Sequence, residues 1–274
     1  MAVVHSFVGQ PATADEVVIP TEPVFTYTTT TAPDLTATAF YSVDTETARP
    51  LASLAADTVL PIASITKLIT TAVYQQSLPD TTQPELITVT NADVNGMGRA
   101  GALQVGEVYP RTILPFPALI TSANSASALM ARSGAGTLVA DTNTYARQQG
   151  FSNTTIDDAH GLSARNVSTA RELAAWFTHI SEAAPTVRDI TRLKQYLAAD
   201  NGWINNSPFI HDSRYQGGKH GYTDAAGRTV VAAFTEPVAG GPDREIIYVL
   251  LGSDDLVADM ARLRQHVTSH ASYQ

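Results

Sequence analysis

The sequence predicts an α/β (α+β) domain, in which an antiparallel sheet is assembled from both ends of the chain and a helical region is inserted between them. Three observations predict it. Strand-like alternation opens near residue 36 and returns at 229–252. Between these stretches, helical spacing of apolar residues dominates from about 113 to 198. A final amphipathic segment, about Leu256–His270, then reads as a helix closing the domain.

The elements follow in chain order. Residues 1–33 are rich in Thr, Pro, Val and Ala and sustain no period, so an extended N-terminal arm or linker is expected there, with one domain over 34–274. Thr36–Val43 alternates as a strand, and Asp44-Thr45-Glu46-Thr47 supplies a turn before Pro50 and Leu51, which makes a hairpin. Ile65–Tyr74 has helical length and apolar spacing. Ala118–Ala131, Thr137–Gly150 and Thr169–Ile180 read as further helices. Thr229–Thr235 and Glu245–Gly252 read as buried strands, the second containing the apolar run Ile246–Leu251. No internal repeat is present.

Bulk properties narrow the function. A length of 274 residues with 44% hydrophobic and 16% charged residues suits a globular chain with a sizeable core. A net charge of −9 argues against nucleic-acid binding, which needs a basic surface. No apolar run approaches the roughly 20 residues that cross a bilayer. With no cysteine, disulfides, thiol catalysis and Cys-based metal sites are excluded. The N-terminus lacks the basic start and apolar core of a signal peptide, so an exported protein would have its targeting segment outside this chain.

Chemistry enters with Ser64-Ile65-Thr66-Lys67. Residues three apart share a helical face, so the Lys67 amine can reach the Ser64 hydroxyl. A serine hydroxyl needs a nearby base at neutral pH, and a lysine can serve only when burial or a second cation lowers its pKa. A chain of this length shows about one such pattern by chance, and an N-cap serine followed by a surface lysine is the competing reading. Lysine usage shifts the balance. The chain has only three lysines, Lys67, Lys194 and Lys219, among 17 basic residues. Arginine cannot act as a base, so the rare lysines mark places where arginine would fail. Lys219 stands in Gly217-Gly218-Lys219-His220-Gly221-Tyr222-Thr223, before the strand at 229. Ser122-Ala123-Asn124, at the start of the helix running to Ala131, offers a second hydroxyl and an amide. A cation beside the site would depress the Lys67 pKa and attract an anionic substrate.

These three elements, in this order, resemble the S-x-x-K, S-x-N and K-T-G set of penicillin-binding proteins and serine β-lactamases. More specifically, about residues 38–270 resemble the low-molecular-mass D-alanyl-D-alanine carboxypeptidases (peptidase family S11). The flanking stretches Pro61–Leu68, Ala102–Glu107, Leu119–Ala126, Phe151–Leu162, Ser168–Ala174 and Gly218–Gly227 carry the likeness. The resemblance implies a β-lactamase/transpeptidase-like fold and a serine DD-peptidase acting on peptidoglycan stem peptides outside the cytoplasm, inhibited by β-lactams. It implies that Ser64 attacks the carbonyl between the last two D-alanines and forms an acyl-enzyme. Lys67 would take the Ser64 proton and Ser122 would hand a proton to the leaving amine. Asn124, Lys219, His220, Gly221, Tyr222 and Thr223 would bind the substrate, with the backbone N–H groups of Ser64 and Tyr222 as oxyanion hole. No metal and no organic cofactor is implied. Neither a β-rich second domain nor a C-terminal anchor is expected in this chain, so any membrane tether would enter through the N-terminal arm.

The third motif departs from the family, since Lys219-His220-Gly221 replaces K-T-G. A histidine can bind a substrate carboxylate through a ring N–H, more strongly when protonated, or it can point aside. An arginine that often follows the family's last long strand is missing from Ser253-Asp254-Asp255-Leu256-Val257. Together these changes point toward internal cross-links as substrate, which would make the protein a DD-endopeptidase. A class A-like β-lactamase needs a glutamate for deacylation, and Thr155–His160 contains none. A non-catalytic penicillin- or peptidoglycan-binding module is the remaining reading. His211-Asp212-Ser213 is read as loop, because adjacent residues cannot converge as a triad. His266 and His270, four apart on the last helix, are read as surface residues, and His160 as shaping a turn.

Overall fold

The computed structural model describes residues 24–29, 31–78, 85–98, 103–133, 135–198 and 201–274. Its strands are β1 (Phe25–Tyr27), β2 (Ala39–Asp44), β3 (Pro50–Leu54), β4 (Tyr215–Thr223), β5 (Gly227–Glu236), β6 (Arg244–Ser253) and β7 (Ala271–Tyr273), besides three short two-stranded pairings in the helical region. The main sheet has the order β4-β5-β6-β2-β3, every neighbour antiparallel. The N-terminal hairpin therefore docks on the C-terminal strands, and the helices fill the chain between. β4 is left at the edge.

Besides a single turn at Asn91–Val94, the helices are α1 (Thr66–Gln76), α2 (Pro115–Ile120), α3 (Asn124–Arg132), α4 (Leu138–Gln148), α5 (Ala170–Ala183), α6 (Pro185–Arg192) and α7 (Leu256–His270). The sheet is covered on both faces, which is why β5 and β6 read as continuous apolar runs. Val231, Ala233, Ile247, Val249 and Leu251 enter the core shared with α1 and α5. Val230, Ala232, Phe234, Ile246, Tyr248 and Leu250 point the other way, toward Leu256, Met260, Leu263 and Val267 of α7. A period of two within one strand thus serves two cores.

Three sequence expectations need correction. The arm over 1–33 is not wholly outside the domain. Residues 1–23 and 30 lie outside the described residues, but Phe25 and Tyr27 are buried and β1 pairs antiparallel with β7. Three residues are too short a strand to register as a period, and the partner lies at the far end of the chain. The helix expected over Ala118–Ala131 is two helices, broken at Thr121–Ala123. The helical region also contains the hairpin Gln195–Ala198/Asn201–Ile204, where Tyr196 and Trp203 stack at 6.2 Å.

One ion cluster joins the two ends of the chain. Arg244 donates to both carboxylate oxygens of the fully buried Asp44, to Glu46 and to the Tyr273 hydroxyl, and lies over the Phe25 ring at 4.8 Å. Removing one partner of such a buried pair leaves a charge without compensation. Arg244→Ala should therefore cost roughly 3 kcal/mol, seen as a fall in thermal midpoint of roughly 6–12 °C at this size. The Asp44 carboxyl is held below its usual range by hydrogen bonds and charge from Arg244 and by Thr47, against the opposing effect of burial. A depressed carboxylate stabilises the fold above its unfolded pKa, so the deficit should shrink as pH falls through the acid range. A deficit independent of pH would exclude this pairing as its cause.

Candidate active site

Ser64 lies in a single 3-10 turn, Ala63–Ile65, immediately before α1. Ala63 adopts φ +47°, a left-handed conformation that costs an L-residue on the order of 1–2 kcal/mol. Neighbours on several sides hold the turn in place. Ile62 N–H donates to Asn166 O, the Thr229 hydroxyl to Ile62 O at 3.0 Å, and the Thr66 hydroxyl to Ala63 O at 2.7 Å.

One helical turn later, the Lys67 amine lies 2.9 Å from Ser64 Oγ and 2.7 Å from Asn124 Oδ1, and it also donates to the His160 carbonyl. Lys67 has no exposed surface. Burial and the charge of Lys219 push its pKa well below the ordinary lysine value, while Asp158 acts in the opposite sense. Burial pushes Lys219 down to about 7. Lys67 feels its neighbour's charge in addition to burial, whereas burial alone lowers Lys219. An amine of lowered pKa held against a serine hydroxyl is the arrangement a general base requires.

The second motif is carried by the break between α2 and α3. Ser122 adopts φ +60° there. Thr121 Oγ1 and Ala123 N–H both donate to Pro117 O, and Asn206 donates to Ile120 O and Thr121 O, so the strained turn is fixed from both sides. The half-buried Ser122 hydroxyl has no hydrogen bond among the described residues. Asn124, expected to hold substrate, is engaged by the enzyme itself: Oδ1 accepts from Lys67 and Nδ2 donates to Met97 O at 2.7 Å.

The third motif, placed by the sequence before the strand at 229, itself lies on the edge strand β4. Its register opposes Lys219 to Val231, His220 to Val230 and Gly221 to Thr229. A Cβ on Gly221 would sit 2.4 Å from Ser64 N, so the strand passes the nucleophile at a distance that only glycine allows. Lys219 is buried and donates to its neighbour's carbonyl, His220 O, at 2.8 Å. His220 is not held as a cation. Burial and the charges of Lys219 and Lys67 push its pKa to about 3. The protonated form, which would bind a carboxylate more strongly, is therefore disfavoured, first by burial and then by the lysine charges. Tyr222 is exposed, donates to Asp224 and lies beside the Arg228 guanidinium. The Thr223 hydroxyl accepts from Ala226 N–H in the hairpin turn, so its side chain stabilises the turn rather than facing the nucleophile.

The site also uses residues that the sequence reading did not select. Asp158 gathers the backbone N–H groups of His160, Gly161 and Ser163 together with the Asn166 amide. His160 is confirmed in its turn and contacts Asp158 through Nδ1, but its carbonyl is what reaches Lys67. Gly161 has φ +86°, and a Cβ there would lie 2.1 Å from Ala63 O. An Asp followed closely by glycine signals such a turn, yet nothing local says that the turn faces Lys67. The other Asp of the pair, Asp157, is held by Arg165. Asp212 pairs with Arg264, and His211–Ser213 is loop. The rings of His266 and His270 lie 4.6 Å apart on α7, tilted by 42°, and no group of three or more His, Asp and Glu disposed to hold a metal occurs among the described residues.

Comparison with known proteins agrees with this geometry. The D-alanyl-D-alanine carboxypeptidase family model matches residues 26–254. A D-alanyl-D-alanine endopeptidase of Pseudomonas aeruginosa is 30% identical over 235 residues, covering 81% of this chain and 74% of that protein. The D-alanyl-D-alanine carboxypeptidase DacA of Escherichia coli is 28% identical over 220 residues, covering 74% of this chain and 54% of that protein. The Streptomyces K15 DD-transpeptidase shares the fold, with a TM-score of 0.76 at 23% identity over 88% of this chain and all of that one. The chain belongs to the D-alanyl-D-alanine carboxypeptidase family (peptidase family S11) and is a serine DD-peptidase.

Proposed function

We propose that the protein removes the terminal D-alanine from peptidoglycan stem peptides through an acyl-enzyme on Ser64, and that β-lactams acylate the same hydroxyl. The observation that carries this is the buried Lys67 amine 2.9 Å from Ser64 Oγ. In the proposed sequence Lys67 takes the hydroxyl proton as Ser64 attacks the penultimate D-alanine carbonyl. The developing oxyanion is held by the Ser64 and Tyr222 N–H groups, which the close passage of Gly221 brings together. Ser122 relays a proton to the leaving amine, with Lys219 beside it. Asn124 holds Lys67 in place, and the edge strand β4 takes the extended substrate backbone as an added strand. Water then hydrolyses the ester. Since the proposed substrate is cell-wall peptide, an extracytoplasmic location is part of the proposal.

Deacylation separates this reading from a β-lactamase. Both carboxylates of the Asp157–Asp158 pair are engaged, Asp157 by Arg165 and Asp158 by its loop, which leaves neither free to activate a water. Incubation with penicillin should give a mass adduct mapped to Ser64 that survives far longer than a single lactamase turnover. Rapid return of free enzyme with hydrolysed penicillin would support the lactamase reading instead.

The neutral His220 favours a second reading, cleavage of internal cross-links. A neutral imidazole gives a terminal carboxylate less to bind than a cationic one would. Release of D-alanine from a D-Ala-D-Ala pentapeptide faster than cleavage of a cross-linked dimer would establish the carboxypeptidase. The reverse order would establish the endopeptidase.

A further inference from the structure

We infer that Asp158 is a positioning residue for the Ser64–Lys67 pair: it folds the 158–166 loop so that the His160 carbonyl reaches the Lys67 amine, and it sets a fixed negative charge against that of Lys219. The inference rests on the reading of Lys67 as the base.

The geometry is specific. Asp158 Oδ1 accepts from His160 N–H at 3.0 Å, Gly161 N–H at 2.5 Å and Asn166 Nδ2 at 2.9 Å, while Oδ2 accepts from Ser163 N–H at 2.7 Å. Its oxygens are thus engaged by the loop. The loop they shape presents two successive carbonyls to one face of α1. Ala159 O accepts from the Thr70 hydroxyl at 3.0 Å, and His160 O accepts from Lys67. Thr70 and Lys67 are three residues apart, so the loop is fastened along a single helical face. Gly161 then passes directly over Ala63 O, beside the nucleophile.

Charge completes the case. The groups facing the Lys67 amine are the Ser64 hydroxyl before its own helix, Asn124 from α3, Lys219 and the neutral His220 from β4, and the His160 carbonyl with Asp158 behind it from the loop. Asp157 is engaged by Arg165 at the surface. Lys219 drives the Lys67 proton off, and Asp158 draws it back. An asparagine at 158 would keep a carbonyl acceptor for part of the loop but would supply no charge. A glutamate would keep the charge but displace the acceptors.

The test is the pH dependence of Ser64 acylation by penicillin in the wild type, Asp158→Asn and Asp158→Glu, with the Lys67 amine followed by NMR of 15N-lysine-labelled protein, which contains only three lysines. In Asp158→Asn the acid limb of the rate profile and the Lys67 titration should both move down by about one pH unit, since an attractive charge is lost. In Asp158→Glu the limb should hold while the maximal rate falls by roughly ten-fold through misplacement. An unmoved limb in Asp158→Asn, with a uniformly lower rate, overturns the inference and leaves a merely structural residue. If Asp158→Asn does not fold, a Glu variant with a displaced limb overturns it equally. A wild type that penicillin does not acylate would sink the reading of the site itself, which these outcomes keep distinct.

Discussion

Lys67→Arg should lower the rate of Ser64 acylation by at least about 10³-fold, although it retains the positive charge and most of the side-chain length. Arginine stays protonated at any working pH and cannot accept the serine proton. Lys67 has no exposed surface and is held among Ser64, Asn124 and the His160 carbonyl, so a larger guanidinium must also displace these partners. Ser64→Ala should abolish the covalent adduct altogether. Adding Lys67→Arg to Ser64→Ala should lower residual peptide hydrolysis no further, since the two residues act as one unit. Stopped-flow acylation and single-turnover hydrolysis measure both effects. A Lys67→Arg enzyme within ten-fold of the wild type would exclude Lys67 as the base.

Gly221→Ala is the second large effect, and it tests geometry instead of chemistry. Its added methyl would lie 2.4 Å from Ser64 N and 3.0 Å from Ala63 Cβ. Neither side yields easily. The nucleophile turn is held by Asn166 O and the Thr229 hydroxyl, and β4 is held in register by β5. The strand and the turn must part, which separates the two N–H groups proposed to hold the oxyanion. Losing one such donor, or a displacement of about 1 Å, costs about 10²-fold or more. The expected result is that loss in acylation rate with a smaller change in thermal midpoint, because β4 is an edge strand with only one neighbour to lose. Acylation within three-fold of the wild type would show that the close approach is not needed.

Both predictions draw on residues of unequal legibility. The Ser64–Lys67 pair was readable because helical spacing alone places the two on one face, and because lysine is rare in this chain. The strands Thr229–Thr235 and Glu245–Gly252 and the helix Leu256–His270 were readable for the same reason, since their periods are local and long enough to count. The strand Phe25–Tyr27 was not, since its burial depends on β7 and α7 at the other end of the chain. The break at Thr121–Ala123 was hidden because Thr, Ser and Ala are all tolerated in a helix. Only the bonds from Pro117 O and Asn206 show why the chain turns there.

The protonation state of His220 shows the limit most directly. Sequence chemistry allowed a cationic histidine, and burial, with the charges of Lys219 and Lys67, disfavours that form. By itself, the sequence determined what each segment can do locally: the reach of Lys67 to Ser64, the alternation of the buried strands, and the absence of thiol chemistry. The tertiary structure alone decided what surrounds those groups, including the burial that lowers Lys67, the second lysine beside it, the Asp158 loop behind it and the strand that only Gly221 lets approach. The division has a physical cause. Helical and strand periods are set by the nearest few residues, whereas a pKa or a close contact depends on charges and atoms that only folding brings within a few ångströms.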